Sequence, residues 1–344
     1  MGDSVSQVRG HSANGPDRRK REIAAALGIL VVCVILGLAA AVPSDAEMID
    51  QALFRITVEH MRNGEGYYSA YDSAQDIVYG PQRAAITETI RAFRMPTTFL
   101  LWQLLPSEEA IWWLFVTVAG LTGIVATRLV ARPELGIFVS VYLLGVGVVL
   151  EEGQSTAQFM TTELWAVGPI LGALVMARRE RWWMAAGLAV LAVLVRELAA
   201  PLLAAGVLLA VLGRAPRPPW FTGAAVALGA YVLHAMSAAK FIEPTTSQAP
   251  IVDETQLPFT ILEMMGFALP AGIVIGPILW LLAVRSTWRS RRLLDMSVLG
   301  LPLVGLIIDR PYWGILVAPI AAIWGIDHLL DVVRRRPSAS SAAV

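Results

Sequence analysis

The sequence predicts an all-α integral membrane protein: about ten transmembrane helices and a long first extracytoplasmic loop carrying an amphipathic helix. Three observations predict it. Hydrophobic residues make up 56% of the 344 positions and charged residues 16%, with a mean hydropathy of +0.62, whereas soluble domains carry roughly a quarter charged residues. Apolar runs close to the roughly 20 residues that cross a bilayer recur along the chain. The arginines, finally, concentrate in alternate connections between those runs, as the positive-inside rule requires of a multi-pass protein.

In chain order, residues 1–22 form a basic tail ending in "RRKR", which places the N-terminus in the cytoplasm. The apolar spans are 23–42, 110–131, 135–150, 164–177, 182–196, 198–213, 220–240, 264–284, 293–308 and 312–330. Several are short, so tilt or local thinning of the bilayer is expected. Alternation then puts "ATRLVARPE", "ARRER", "GRAPRPP", "VRSTWRSRR" and "VVRRRP" on one side. That side holds most of the 27 basic residues and a minority of the 27 acidic ones; an odd number of spans would scramble this sorting. The transmembrane domain thus covers 23–331, and 332–344 is a second disordered cytoplasmic tail. Span one, ending "LAAAVPSDA", has a cleaved signal peptide as its alternative reading. The one cysteine, Cys33, excludes an intrachain disulfide.

The loop 43–109 is too long for a mere connector. Within it, "DQALFRITVEHMRNGEGYY" wound at 100° per residue brings Phe54, Thr57 and Met61 within about 40° of Asp50, with Arg55, Glu59 and Arg62 pointing away. A carboxylate on the apolar face is costly to bury without a partner. Asp50 therefore reads as a general base facing a cavity, or more plainly as a carboxylate at a helix N-terminus turned to the headgroups. Glu47 sits near the same face and Asp45 on the other side. The apolar stretch Met95–Pro106 is too short to cross and reads as an interfacial or re-entrant helix.

Further charges gather at the outer ends of distant spans: Arg196 and Glu197 in "LVRELAAP", Asp309 and Arg310 in "LIIDRPYWG", Glu163 in "FMTTELW", and Glu151 with Glu152. An arginine fork pairs bidentately with anions, which suits a phosphate site; a snorkelling arginine and a self-capped turn are the plainer readings. His60 and His234 form no ligand pattern and read as ordinary polar residues. Trp102, Trp112, Trp113, Trp165, Trp182, Trp183, Trp220 and Trp313 lie near span ends, as an interfacial belt would. No Walker loop, dinucleotide fingerprint, HExxH or CxxC is present, so a soluble nucleotide substrate is not expected.

Asp50 just after the first span, an aromatic four residues on, "RNGEGYY" and the "RMPT" hairpin together resemble the polytopic glycosyltransferases of the GT-C fold class. "TTELWAVGPILGALV", "LAVLVRELAAPLLAAGVLLA" and "RPYWGILVAPIAAIWG" also look like stretches of actinobacterial, mannosyltransferase-like members of that class. The resemblance covers roughly 23–330; Phe54 stands where a tyrosine is more usual, and Gln51 where an acidic pair is frequent. It implies an inverting transfer of a sugar from a polyprenyl-phosphate donor to a glycan or glycolipid acceptor, at the extracytoplasmic face of the plasma membrane, in cell-envelope assembly. In that scheme Asp50 is the base, with Glu47 and Asp45 as neighbouring acids. Arg196, Glu197, Arg310, Asp309, Glu163, Arg94 and Tyr68 bind substrate. No cofactor and no nucleic acid are expected, and a divalent metal is left open. A transporter or flippase for a lipid or small solute is the alternative, as is a non-catalytic scaffold of the same fold.

Overall fold

The computed structural model describes residues 16–39, 49–80, 93–130, 132–151, 154–157, 159–242, 272–289, 292–300 and 314–334. Almost all of these are helical. The helices are α1 (Pro16–Ala39), α2 (Ile49–Arg62), α3 (Tyr67–Tyr79), α4 (Thr97–Gln103), α5 (Glu108–Val130) and α6 (Pro133–Gly147). They continue with α7 (Thr162–Arg178), α8 (Trp182–Val195), α9 (Ala200–Val211), α10 (Arg217–Ala238), α11 (Gly272–Arg289), α12 (Leu293–Leu299) and α13 (Gly314–Arg334). One departure from the all-α expectation is a short antiparallel hairpin, β1 (Val148–Glu151) with β2 (Gln154–Ala157), in the connection before α7.

Two helical stretches, Glu108–Val130 and Arg217–Phe241, are long and apolar enough to cross a membrane, and five more apolar helices are shorter. Large apolar side chains stand exposed along α1 (Leu27, Val31, Ile35) and α10 (Leu228, Leu233, Met236), the surface expected where lipid or a partner replaces water. The expected spans at 264–284, 293–308 and 312–330 lie partly outside the described residues.

α7 is the centre of the bundle. Nearly its whole surface is buried, and it packs on α5, α8 and α13. Its two ends carry different chemistry. At the C-terminal end Arg178 pairs with buried Asp295 at 2.8 Å, donates to the Leu129 carbonyl at 2.5 Å, and lies 5.6 Å above the Trp324 ring. Nearby Arg132 bridges Asp327 and Asp331 of α13, and Arg128 pairs with Glu22 of α1. Three of the arginines assigned to one side from sequence, Arg128, Arg132 and Arg178, thus lie on neighbouring helix ends. Glu163 marks the other end, about 22 Å away at 1.5 Å per helical residue.

Small residues set how closely the helices approach. α5 and α6 cross at Gly123 and Gly136, where a Cβ on Gly136 would stand 2.5 Å from the Gly123 carbonyl oxygen and 2.4 Å from Thr127 Oγ1. Such close backbone approach is what small-residue interfaces supply inside membranes. Gly136→Val is therefore expected to destabilise the protein by at least about 1–3 kcal/mol, the usual cost of overpacking. Thermal unfolding of detergent-purified protein checks this; an unchanged midpoint would mean that the helices do not meet here.

The first loop folds as a helical cap on the Glu163 end. In α2 the residues Leu53, Phe54, Thr57, Val58 and Met61 are buried while Glu59 and Arg62 are exposed, which is the face the spacing predicts. α2 packs on α3 and α4, and α4 reaches α8. Arg62 donates to the carbonyls of Trp102 (3.2 Å) and Leu105 (2.7 Å), and Gln103 Nε2 to that of Met61 (3.0 Å), closing the end of α4 onto α2. The predicted Met95–Pro106 element is α4: Phe99 and Trp102 are fully buried, whereas Leu104 is 81% exposed.

The tryptophan belt needs correction. Trp102, Trp112, Trp165 and Trp220 are buried inside the protein; Trp183 is exposed. Phe54 packs on Phe99 and Trp102, Trp102 on Trp165, and Trp165 on Phe115, with Trp112 against Phe159. These aromatics join the cap to α5 and α7 as core, in edge and tilted pairings each worth about 0.5–1.5 kcal/mol beyond area burial. A tryptophan near a span end has the same sequence signature whether it faces headgroups or a packed cap.

Candidate functional site

The polar centre lies where α8 ends. Arg196, with extended backbone, closes α8, and a single 3₁₀ turn, Glu197–Ala199, leads into α9. Pro201 lies in the first turn of α9, where its missing N–H leaves no bond unmade. The break brings Arg196 and Glu197 side by side at the N-terminal end of α7.

There Arg196, 1% exposed, meets two carboxylates. Its Nε lies 2.7 Å from Glu163 Oε1, a charge contact whose direction is not that of a hydrogen bond. Its Nη1 donates to Glu197 Oε1. Glu163 is likewise 1% exposed, takes a 3.2 Å hydrogen bond from the Thr162 hydroxyl on Oε2, and sits in the first turn of α7, where the helix dipole favours negative charge. Glu197 is more open, at 29%, and its buried Oε2 accepts no hydrogen bond among the described residues. Arg94, just before α4, lies within electrostatic reach of Glu197.

The cap supplies the rest. Tyr67 donates to the Arg94 carbonyl at 2.5 Å. Burial foremost, then the neighbouring Tyr71 and Tyr68, raises its phenol well above the ordinary range, so it stays a protonated donor. The Tyr68 hydroxyl meets His234 Nδ1 of α10 at 3.0 Å, and His234 Nε2 meets the Phe93 carbonyl at 3.2 Å. A carbonyl only accepts, so Nε2 carries the proton, Nδ1 accepts, and Tyr68 donates. Gln51 Oε1 accepts from Met160 N at 3.1 Å, tying α2 to the segment entering α7.

Five of the sequence candidates, Glu163, Arg196, Glu197, Arg94 and Tyr68, are thus gathered at one end of the bundle from four separate stretches of chain. Asp50 is in the first turn of α2, and position 50 falls within the buried arc by helical spacing, but its side chain lies outside the described residues. Asp45, Glu47, Asp309, Arg310 and Glu152 also lie outside them, as does the side chain of Glu151. The snorkelling reading of Arg196 is overturned, since its guanidinium is buried and doubly paired. The same pairing sets two carboxylates against the guanidinium, through Nε and Nη1.

His234 and Gln51 were not legible as site residues. The first is a lone histidine in an apolar helix; the second stands in the sequence only as the neighbour of Asp50. Tyr67 carried a faint signal in the tyrosine pair of "NGEGYY". Among the described residues no group of three or more His, Cys, Asp or Glu is placed to hold a metal ion. Compared with protein-family models, curated proteins and solved structures, the chain matches none.

Proposed function

We propose that this protein is a multi-pass membrane glycosyltransferase of the GT-C type, with about ten spans and both termini cytoplasmic. It moves a sugar from a polyprenyl-phosphate donor to a glycan or glycolipid acceptor at the extracytoplasmic face. The observation that carries the reading is the gathering of Glu163, Arg196, Glu197, Arg94 and Tyr68 beneath a helical cap built from the first loop. The apolar helices, and their charges divided between two ends, support the membrane setting.

A sugar on a lipid phosphate already carries a good leaving group. The protein has to provide a base for the acceptor hydroxyl, cations for the departing phosphate and an apolar path for the lipid. In this proposal Asp50 is the base, Arg94 and Arg310 hold the phosphate, and the apolar helix faces accommodate the chain. Arg196 keeps Glu163 and Glu197 in place and does not itself bind the donor.

The test is transfer. Purified protein in proteoliposomes is given radiolabelled polyprenyl-phosphate hexoses and pentoses with extracted envelope glycolipid as acceptor. Label is expected to move to the acceptor with release of polyprenyl phosphate. Vesicles that instead carry labelled lipid or solute across the bilayer without transferring sugar would replace this reading with a transporter.

A further inference from the structure

We infer that the protein holds an anionic phospholipid on a basic surface formed by the α7–α8 and α9–α10 turns, on the side proposed as cytoplasmic; this rests on the membrane setting proposed for the protein, not on its chemistry. The two turns close in the same way. After α7, Glu180 has φ 57° and Arg181 N donates to the Met176 carbonyl at 2.9 Å. After α9, Gly213 has φ 68° and Arg214 N donates to the Leu209 carbonyl at 2.9 Å. Both are Schellman closures, in which a left-handed residue turns the chain back and the next N–H caps the helix. Arg179 and Arg181 flank the first closure, and Arg214 and Arg217 follow the second, all four exposed.

Packing sets the turns side by side. α8 and α10 both start at the Arg178 end and run toward the cap, α8 to Arg196 and α10 past His234. They are neighbours: a Cβ on Gly223 of α10 would lie 3.6 Å from Ala186 Cβ and 3.2 Å from Val190 Cγ2 of α8. Arg181 precedes Ala186 by five positions and Arg217 precedes Gly223 by six. At about 1.5 Å per helical residue the two arginines therefore stand at nearly one level. Trp220 ties the second turn to α9, since its buried ring lies on Gly206, where a Cβ would collide with it. Packed helices stand roughly 8–10 Å apart, a gap that one phosphodiester gripped from both sides by arginine side chains can bridge.

These four arginines are free where others at the same end are not. Arg128, Arg132, Arg178 and Arg292 each pair with a carboxylate. Arg179, Arg181, Arg214 and Arg217 have no ion pair among the described residues. Glu180 is the one acid in the two turns, which leaves them a formal charge of +3. An unneutralised guanidinium forks onto phosphate oxygens. What selects a lipid over a soluble anion is the apolar surface beside the charge. Trp183 (62% exposed), Met184, Leu212 and Phe221 all stand exposed within about one helical turn of the arginines. Cations at the level of the headgroup, with an aromatic and apolar side chains next to them, match the order of phosphate and acyl chain in a lipid.

The experiment is native mass spectrometry of the detergent-purified full chain with an equimolar mixture of phosphatidylglycerol and phosphatidylcholine. Phosphatidylglycerol adducts are expected to exceed phosphatidylcholine adducts at least fivefold, since one arginine near an anionic surface is worth about fivefold in affinity. Arg181→Gln/Arg217→Gln should bring the two lipids to within about twofold of each other. Arg55→Gln/Arg285→Gln removes the same charge elsewhere and should leave the preference intact. Arg179→Gln/Arg214→Gln, in the same exposed turns, reads the same loss if the first double variant does not fold. Equal retention of both lipids by the wild type, or an equal loss of preference in the control variant, overturns the inference.

Two further arms identify the occupant. Glycerol 1-phosphate or an oligoglutamate peptide retained in place of the lipid at equal concentration would make the surface a soluble-anion or protein site and overturn the lipid assignment. Trp183→Ser/Phe221→Ser should lower phosphatidylglycerol retention at least threefold, and undiminished retention overturns the assignment as well. Reconstitution separates the inference from the reading beneath it. Protein that does not enter vesicles containing phosphatidylglycerol sinks the membrane setting and the lipid surface together. Protein that enters them and transfers sugar, yet shows no lipid preference, overturns the lipid surface alone. Lipid preference through these arginines without any transfer keeps the surface and sinks the transferase.

Discussion

Asp50→Asn is expected to reduce sugar transfer by about 10²–10⁴-fold, the usual worth of a general base, equivalent to roughly 3–5 kcal/mol of barrier. The amide keeps the shape of the side chain and removes the basic oxygen. The loss should therefore appear in turnover, with donor affinity largely kept. What motivates the prediction is the phase of α2. Phe54, Thr57 and Met61 are buried as the spacing requires, and Asp50 shares their arc. Gln51, the next residue, is pinned to Met160 N, so the first turn of α2 is tied to the segment that leads to Glu163 and Arg196. Asp45→Asn is the control and is expected to leave transfer within about twofold, since helical spacing puts position 45 on the opposite side from Asp50. If Asp50→Asn retains activity and Glu47→Gln abolishes it, the base is on the preceding turn. If all three variants are silent, the enzyme reading goes.

Arg196→Met has the largest expected effect on stability. It leaves Glu163, 1% exposed, without its cation, and breaking one side of a buried ion pair typically costs about 3–5 kcal/mol. Arg196→Lys should recover only part of this, because an ammonium cannot serve two carboxylates with the geometry of a planar fork. The double variant Arg196→Met/Glu163→Gln should be more stable than Arg196→Met alone, since the orphaned charge is then gone. Heating detergent-purified protein and measuring the fraction that stays monodisperse on size-exclusion chromatography checks all three. Equal stability of Arg196→Met and the wild type would mean that the pair contributes nothing to the fold. A double variant no better than the single one would mean that the damage comes from lost packing of the arginine stem.

Much of the helical frame is local and was readable in one dimension. Apolar runs mark the helices, and spacing near 3.6 residues sets which face of α2 is buried. The boundary between the spans 182–196 and 198–213 falls where α8 gives way to α9. The segregation of arginines by connection foreshadowed their meeting around Arg178, Arg132 and Arg128. Even the membership of the polar centre was partly visible, because charges at the same end of several spans have little room to be far apart.

What stayed hidden is who pairs with whom. A lone histidine in α10 gives no sign that it will meet a tyrosine 166 positions away, nor Gln51 that it will bond a backbone N–H 109 positions away. The tryptophans carry the sequence signature of an interfacial belt because lipid headgroups and a packed protein cap reward the same amphipathic ring at a helix end. The sequence counts the charge of Arg196 but not its partners, Glu163 and Glu197. Hydropathy and helical spacing act between neighbours in the chain and so determine the elements; ion pairs and aromatic contacts act across space, and only the packing of α7 against α8 beneath the cap decides that Arg196 is already neutralised.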